Sequence, residues 1–505
     1  MAILILEPDV NGCAQATIKG SAARHAKFDR LLEHIRHDVV MPLLQNPAED
    51  PLPCREPLEE TAAVNAHFSA QIHALYEELA AYHARTAESL AEEKLPAIDV
   101  EKGLEVAISV ECQSYTRFPY CDHLTYHARR LTLEKPETLP KLPFVRKLRI
   151  THGYGYGDYH FSHVRPLSLR VPLECLVRLT GVAEIECPWM WERLSVPAAG
   201  RPVRHYTRVW EGPWRDARHE FGAAMEKPEE LLGLRIPTTL TKATLWFWRP
   251  RGIWEEDQAP AMPDLVTPAE KDPLSVGLCI LAAQLQELNL RAFITEHLFP
   301  DASSSMQWTH MRRLTVEFHL MRADGSWYFV GPRGENPHPK GYVISDVDHY
   351  PPTETTAEDD EVDEQWDDDP QGGEEVDYFP DVFRTEPLAK TIEPLLSAFA
   401  TALKHMDAVE DAELFAYLAW YPSESRAAEY GDEPPYDCEK GVHRWGVRYL
   451  AKGDGDEKEA QAVIQWQVGD WRPSRGVLGL FEDLGRQEWL DFEFLHNRDQ
   501  YAYLY

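Results

Sequence analysis

Apolar residues change their period twice along this chain, and the changes mark out its elements. In residues 21–45, Phe28, Leu31, Leu32, Ile35 and Val39 fall at helical intervals before Pro42, which predicts a first helix. A Pro-rich link (Pro47, Pro51, Pro53, Pro57) follows. Phe68, Ile72, Leu75, Tyr76 and Leu79 then continue the spacing through an Ala- and Glu-rich stretch, predicting a second helix over about 60–92. Residues 1–100 therefore read as a helical N-terminal region, with the apolar Ala2–Leu6 as a strand or buried end.

From Gly103 the spacing shortens to pairs two apart. Leu131-x-Leu133, Leu148-x-Ile150, Ile185-x-Cys187, Leu245-x-Phe247, Leu288-x-Leu290 and Leu314-x-Val316 recur between irregular stretches. Val145, Val182, Leu285 and Met311 stand three residues before four of them. That L-x-x-L-x-L form is the core of a leucine-rich repeat, in which each unit adds one short strand to a shared parallel sheet. The cores are spaced unevenly, so insertions must separate the units. An unrelated α/β domain with several buried strands is the competing reading.

Residues 351–380 break the pattern again, with thirteen acids and no base. So little apolar surface cannot offset the entropy of ordering, and the segment reads as an acidic disordered loop. Beyond it, Thr391 is placed to cap a helix whose face is Ile392, Leu395, Leu396, Phe399, Leu403 and Met406. Strand-like runs at 413–420, 446–450 and 462–468 and a short helix at 477–484 complete an α-β-β-β-α order. The expected fold class is α/β. An irregular leucine-rich-repeat-like solenoid (101–345) carries N-terminal helices and a C-terminal α+β cap (385–505).

Several segments carry a resemblance. Asn65-Ala-His-Phe68 through Leu75-Tyr76, Gly103-Leu104-Glu105-Val106, and the ending Trp466-Gln-Val-Gly-Asp-Trp471-Arg-Pro473 before an amphipathic helix are the residues concerned. Across residues 60–500 the chain resembles a family of filamentous-fungal F-box proteins with leucine-rich-like repeats. The resemblance implies a substrate-recruiting role in a ubiquitin ligase, with a Skp1-like adaptor as partner. The F-box itself is not visible: residues 1–45 hold no L-P-x-E-I-like opening.

Candidate chemistry is sparse. His34 and His37, beside Glu33 and Asp38, would share a helix face but lack the third and fourth ligands zinc requires. The segment His152–His163 alternates glycines with aromatics and contains Asp158 and His160. It lacks a phosphate-loop spacing, so it reads as a structural loop, with an enzyme site assembled around it as the rival. No G-x-S-x-G elbow, no cofactor motif and no catalytic Cys setting is found, and the expectation is a non-enzyme without metal or cofactor.

Charge then sharpens the picture. The 505 residues carry a formal −33, which excludes general coating of nucleic acid. Residues 129–254, however, carry +8 and all the others together −41. Seven of the fifteen tryptophans lie within 189–254, interleaved with arginines. Most read as core filler with Arg stems laid over them. Trp246, Trp248, Arg249, Arg251, Arg204, Arg208, Trp210 and Trp214 form the candidate partner-binding set, because Trp and Arg dominate interface hot spots. On a strand, Trp246 and Trp248 would share one face, both core or both exposed. The acidic loop, at −13, is a candidate partner in cis, while nucleic acid binding by 129–254 is the less favoured alternative. Eight scattered cysteines without a C-x-x-C pair, no Asn-x-Ser/Thr site, no signal peptide and no membrane span lead to the expectation of a cytoplasmic or nuclear protein.

Overall fold

The structure, a computed structural model, describes residues 3–8, 14–19, 31–42, 56–88, 97–98, 102–110, 129–152, 165–192, 205, 210–248, 257–301, 306–368, 380–430, 441–451, 461–491 and 494–495. Fourteen strands among them build one open, mostly parallel sheet. They are β1 (Ile3–Pro8), β2 (Ala14–Lys19), β3 (His34–Val39), β4 (Leu104–Val110), β5 (Val145–His152), β6 (Glu184–Cys187) and β7 (Lys242–Trp246). The second half adds β8 (Glu287–Ala292), β9 (Arg313–Phe318), β10 (Asp411–Trp420), β11 (Gly441–Leu450), β12 (Val463–Gln467), β13 (Arg486–Trp489) and β14 (Phe494–Leu495). The principal helices are α1 (Leu58–Glu88), α2 (Val171–Leu176), α3 (Glu211–Glu226), α4 (Pro273–Ala282), α5 (Ala357–Asp368), α6 (Ala389–Leu403), α7 (Glu424–Tyr430) and α8 (Arg475–Glu482).

Nine strands run parallel in the order β1-β3-β4-β5-β6-β7-β8-β9-β10, which apart from β2 is chain order. At the amino-terminal edge β2 lies antiparallel to β1. At the other end β11 turns back along β10, β12 and β14 pair antiparallel with β11, and β13 adds parallel to β12.

Register explains why these residues form a sheet. Ile35, Val106, Leu148, Ile185, Ala243, Leu288, Leu314 and Ala412 stand opposite one another on successive strands. Two residues on, Leu245, Leu290, Val316 and Leu414 form a second such row. Side chains on a strand alternate between faces, so both rows point to the same side. All are buried, each large one contributing roughly 1.5–3 kcal/mol on leaving water. Phe68 of α1, Phe221 of α3, Leu278 of α4 and Phe399 of α6 complete the same core, so these helices cover one face of the sheet. Where α3 meets α4, a Cβ on Gly222 would come within 2.4 Å of the Pro273 carbonyl oxygen. Only glycine admits that close approach of the two backbones.

Several sequence expectations need correction. No helix forms over the described part of 21–45. His34–Val39 is instead a parallel strand with Ile35, His37 and Val39 facing the core. Leu131 makes only an isolated bridge to Leu167, so that core adds no strand to the main sheet. Helix α6 starts at Ala389, and the Thr391 hydroxyl donates to the carbonyls of Trp327 and Leu388 instead of capping it. The C-terminal strands extend the main sheet, because β10 pairs parallel with β9. The acidic stretch is not wholly without structure: Ala357–Asp368 is helical. Its residues 369–379 lie outside the described set.

Candidate interaction surface

Each L-x-L core leaves the residue before it, and the one between its apolar pair, on the face opposite the helices. On that face the first row reads His34, Glu105, Lys147, Glu184, Lys242, Glu287, Arg313, Asp411, one residue per strand from β3 to β10. From Glu105 onward its charge sign alternates at every step. The pairs close up accordingly: His34 Nδ1–Glu105 at 3.3 Å, Lys147–Glu184 at 2.7 Å, Lys242–Glu287 at 3.0 Å and Arg313–Glu287 at 2.5 Å. Arg448 of β11, which stands opposite Glu413, reaches diagonally to pair with Asp411 at 2.6 Å. Opposite charges directly across strands each stabilise by roughly 0.2–1 kcal/mol. Hydrogen bonds from Arg313 and Lys242 hold the Glu287 carboxyl below the usual carboxylate range. Burial pulls the Lys147 ammonium down, but its bonds to Glu184 and Glu186 outweigh that and hold it above its ordinary value.

The second row is Arg36, Ala107, Arg149, Glu186, Thr244, Asn289, Thr315 and Glu413. Its middle, Thr244-Asn289-Thr315, is uncharged and short, between Arg149–Glu186 at 3.2 Å on one side and the Glu413–Arg444 pair on the other. Asn289 is exposed, and Thr244 and Thr315 are half-buried.

Toward the carboxyl ends of the strands the same face is covered. Arg291 and Glu317 pair at 2.9 Å and are buried, with the Arg291 guanidinium 4.5 Å from the Trp246 ring centre. A small second core of Val382, Phe415, Tyr417, Ala419 and Val442 lies beyond. Among the described residues the polar face is open over its first two rows and closed along its third from β8 to β10.

The Trp/Arg set divides. Trp246 is half-buried on the polar face, its indole N–H donating to Asn289 at 3.3 Å. Trp248 is buried, edge-on to Phe293 and His319. The two do not behave as a pair, because β7 ends at Trp246 and strand alternation ends with it. Phe247 lies in the core. Trp214 is also buried against Phe293, and its indole N–H donates to Glu192 at 2.7 Å. Trp210 is half-buried and precedes α3. Arg204, Arg208, Arg249 and Arg251 lie outside the described residues.

Behind Trp214 sits a buried charge cluster that composition did not flag. Arg218 of α3 reaches Glu192 at 2.5 Å and Asp272 at 2.8 Å, all three fully enclosed. Asp272 also caps α4 through Ser275. Burial pushes the Glu192 carboxyl up against the pull of Arg218 and the Trp214 N–H. Burial opposes the charge on Arg218 as well, yet Asp272 and Glu192 hold it above its ordinary value. With both carboxylates packed inside, this arrangement is scaffolding that ties α3, α4 and residue 192 together.

His34 and His37 point to opposite faces of β3, three apart on a strand, and do not form a ligand pair. Asp158, His160 and His163 lie outside the described residues. Among the described residues no group of three His, Cys, Asp or Glu side chains is placed to hold a metal. Cys175, Cys187 and Cys279 are buried free thiols, each pushed up to about 12 by burial. Among the described residues no helix is long and apolar enough to cross a membrane. No protein-family model, curated protein or solved structure matches the chain.

The charged rows are a surface feature that apolar patterning alone passed over. A signal was present: the residue before each core alternates in sign, as in Lys147-Leu-Arg-Ile, Glu184-Ile-Glu-Cys, Lys242-Ala-Thr-Leu and Glu287-Leu-Asn-Leu.

Proposed function

We propose that this chain is a non-enzymatic scaffold of leucine-rich-repeat-like build that docks a protein partner on the open polar face of its sheet. One observation supports this reading. Parallel sheets are ordinarily covered on both faces, yet among the described residues one face of a long parallel run carries the helices and the other is left polar and reachable. Chain-ordered strands with one free face are the arrangement by which repeat proteins present extended binding surfaces. Because the charges of the first row neutralise one another, recognition rests on shape and on hydrogen bonds around Thr244, Asn289 and Thr315, with Trp246 at the border.

The test is capture of partners by the purified full-length chain, compared with an Asn289→Arg/Thr315→Arg variant. Both positions stand on the polar face, outside the core. Loss of a partner from the variant at an unchanged melting temperature is the expected result. Identical partner profiles would remove the polar face from the proposal.

The resemblance to fungal F-box proteins extends the reading to recruitment of a target to a ubiquitin ligase. Direct binding of a purified Skp1-like adaptor to the full chain is the measurement for that part. No binding at micromolar concentration would end it and leave the scaffold reading in place.

A further inference from the structure

The carboxyl-terminal edge of the main sheet is a strand whose outer side is unused. β13 pairs with β12 alone. The Arg486 N–H donates to the Ala462 carbonyl at 2.8 Å, and the Leu490 N–H to the Trp466 carbonyl at 2.7 Å. Backbone groups alternate in direction along a strand, so the N–H and C=O of Gln487 and Trp489 point away from the sheet. Among the described residues nothing pairs with them. Exposed apolar surface lies at the same place, with Trp489 39% and Leu490 42% exposed. Free backbone groups beside exposed apolar side chains are a template for another strand.

The side chains of β13 divide between the two faces. Gln487 and Trp489 lie on the helix-bearing face: the Gln487 carboxamide oxygen accepts from the Trp466 indole N–H at 2.6 Å, and the Trp489 ring stacks on that of Trp466 with centres 5.4 Å apart. Arg486 and Glu488 lie on the polar face, where Glu413, Arg448, Gln465 and Glu488 stand opposite one another on successive strands. Arg486 and Glu488 pair with each other at 2.6 Å, and the Arg486 side chain is 58% exposed.

Charges on an edge strand ordinarily keep copies of a chain apart. Here their order selects one way for two copies to join. In an antiparallel pair, the residues whose backbone groups face outward must stand opposite one another. With Gln487 opposite Trp489, each Glu488 would face its own copy. With Gln487 opposite Gly485, each Arg486 would do so. Like charges directly across a strand pair are destabilising. With Gln487 opposite Gln487, Arg486 meets Glu488 twice, and each Trp489 stands beside Gly485, which has no side chain to displace. The two Gln487 residues then exchange N–H···O=C bonds about a two-fold axis, the self-complementary contact that closes a symmetric dimer.

We propose that β13 is a self-association edge: a second copy of this chain joins it antiparallel, centred on Gln487, so that one sheet runs through both copies. The proposal uses the edge of the sheet and is independent of what docks on its polar face.

Sedimentation velocity of the full-length chain over a concentration series is the test. Reversible dimerisation in the micromolar range is expected, since a strand of four residues makes a small interface. Glu488→Arg alone, or Arg486→Glu alone, sets like charges across the two-fold axis and should weaken the dimer by about tenfold or more. Mixing the two variants in equal amounts restores opposite charges at every facing pair and should return a mixed dimer, which a misfolded variant could not form. A chain that stays monomeric at high micromolar concentration overturns the proposal. So does a dimer indifferent to both reversals, or a mixture that fails to associate.

Discussion

Arg218 shows how much one side chain can hold together here. Its guanidinium faces two buried carboxylates, so removing it strands two charges in the interior. Arg218→Met is expected to cost about 3–5 kcal/mol, read as a lowered urea midpoint. A triple variant that adds Glu192→Gln and Asp272→Asn should recover most of that loss, because neither remaining partner then carries an unpaired charge. A second residue sets a pH response. Glu174 of α2 is buried, and burial raises its carboxyl from 4.5 to about 7, although Arg170 at 3.2 Å pulls it down. Between these values the folded chain holds a proton that the unfolded chain has lost, so stability falls as pH rises from about 4.5 to 7. Glu174→Gln should remove that part of the slope. The variant is then expected to match wild type near pH 4 and to exceed it near pH 8 by an amount of order 2 kcal/mol in denaturant melts.

At the scale of elements, strands are held by apolar rows on one face and an alternating charge row on the other. Lys242→Glu would place three acids side by side across β6, β7 and β8, since Lys242 stands between Glu184 and Glu287. The expected loss is roughly 1–2 kcal/mol at low ionic strength, shrinking in 1 M salt, as measured by thermal melting. Leu290→Ala, on the opposite face, should cost about 2–5 kcal/mol with no salt dependence. The two substitutions separate the contributions of the two faces.

Legibility in the sequence followed the same division. Five of the six L-x-L cores lie on or at the end of main-sheet strands, because an apolar pair two apart specifies a buried strand face directly. The segment 34–39 reads as a helix because Leu31, Leu32, Ile35 and Val39 satisfy a helical period equally well. The histidine at 37 masked the alternation it shares with Ile35 and Val39. The acidic helix was hidden by its charge, though Thr356-x-x-Asp359 before Val362 was a local start signal. Trp246 and Trp248 parted because a strand boundary fell between them, and boundaries are what patterning locates least well. The alternating charge row needed the alignment of strands to be seen, which no single segment contains.

On the scale of the whole molecule, chain-ordered strands impose a one-dimensional pattern of support. From β4 to β10 each strand pairs only with its predecessor and successor. In such an array stability is close to a sum of unit and neighbour terms, so a defect is felt locally. A doubly wound α/β domain, whose strand order doubles back, would instead lose protection as one unit. Ile35→Ala removes a fully buried side chain from β3, near the amino-terminal edge, at a cost of about 2–5 kcal/mol. Native-state hydrogen exchange on this variant is expected to rise in β3 and β4 and along α1, whose Phe68 and Ile72 share that core. Protection in β10–β12 should stay at wild-type level, because Trp445, Trp466 and Phe481 pack at the far end of the strand order from β3. A uniform rise across all strands would mean that the sheet unfolds as a single unit, and would count against the proposal of a repeat-like scaffold.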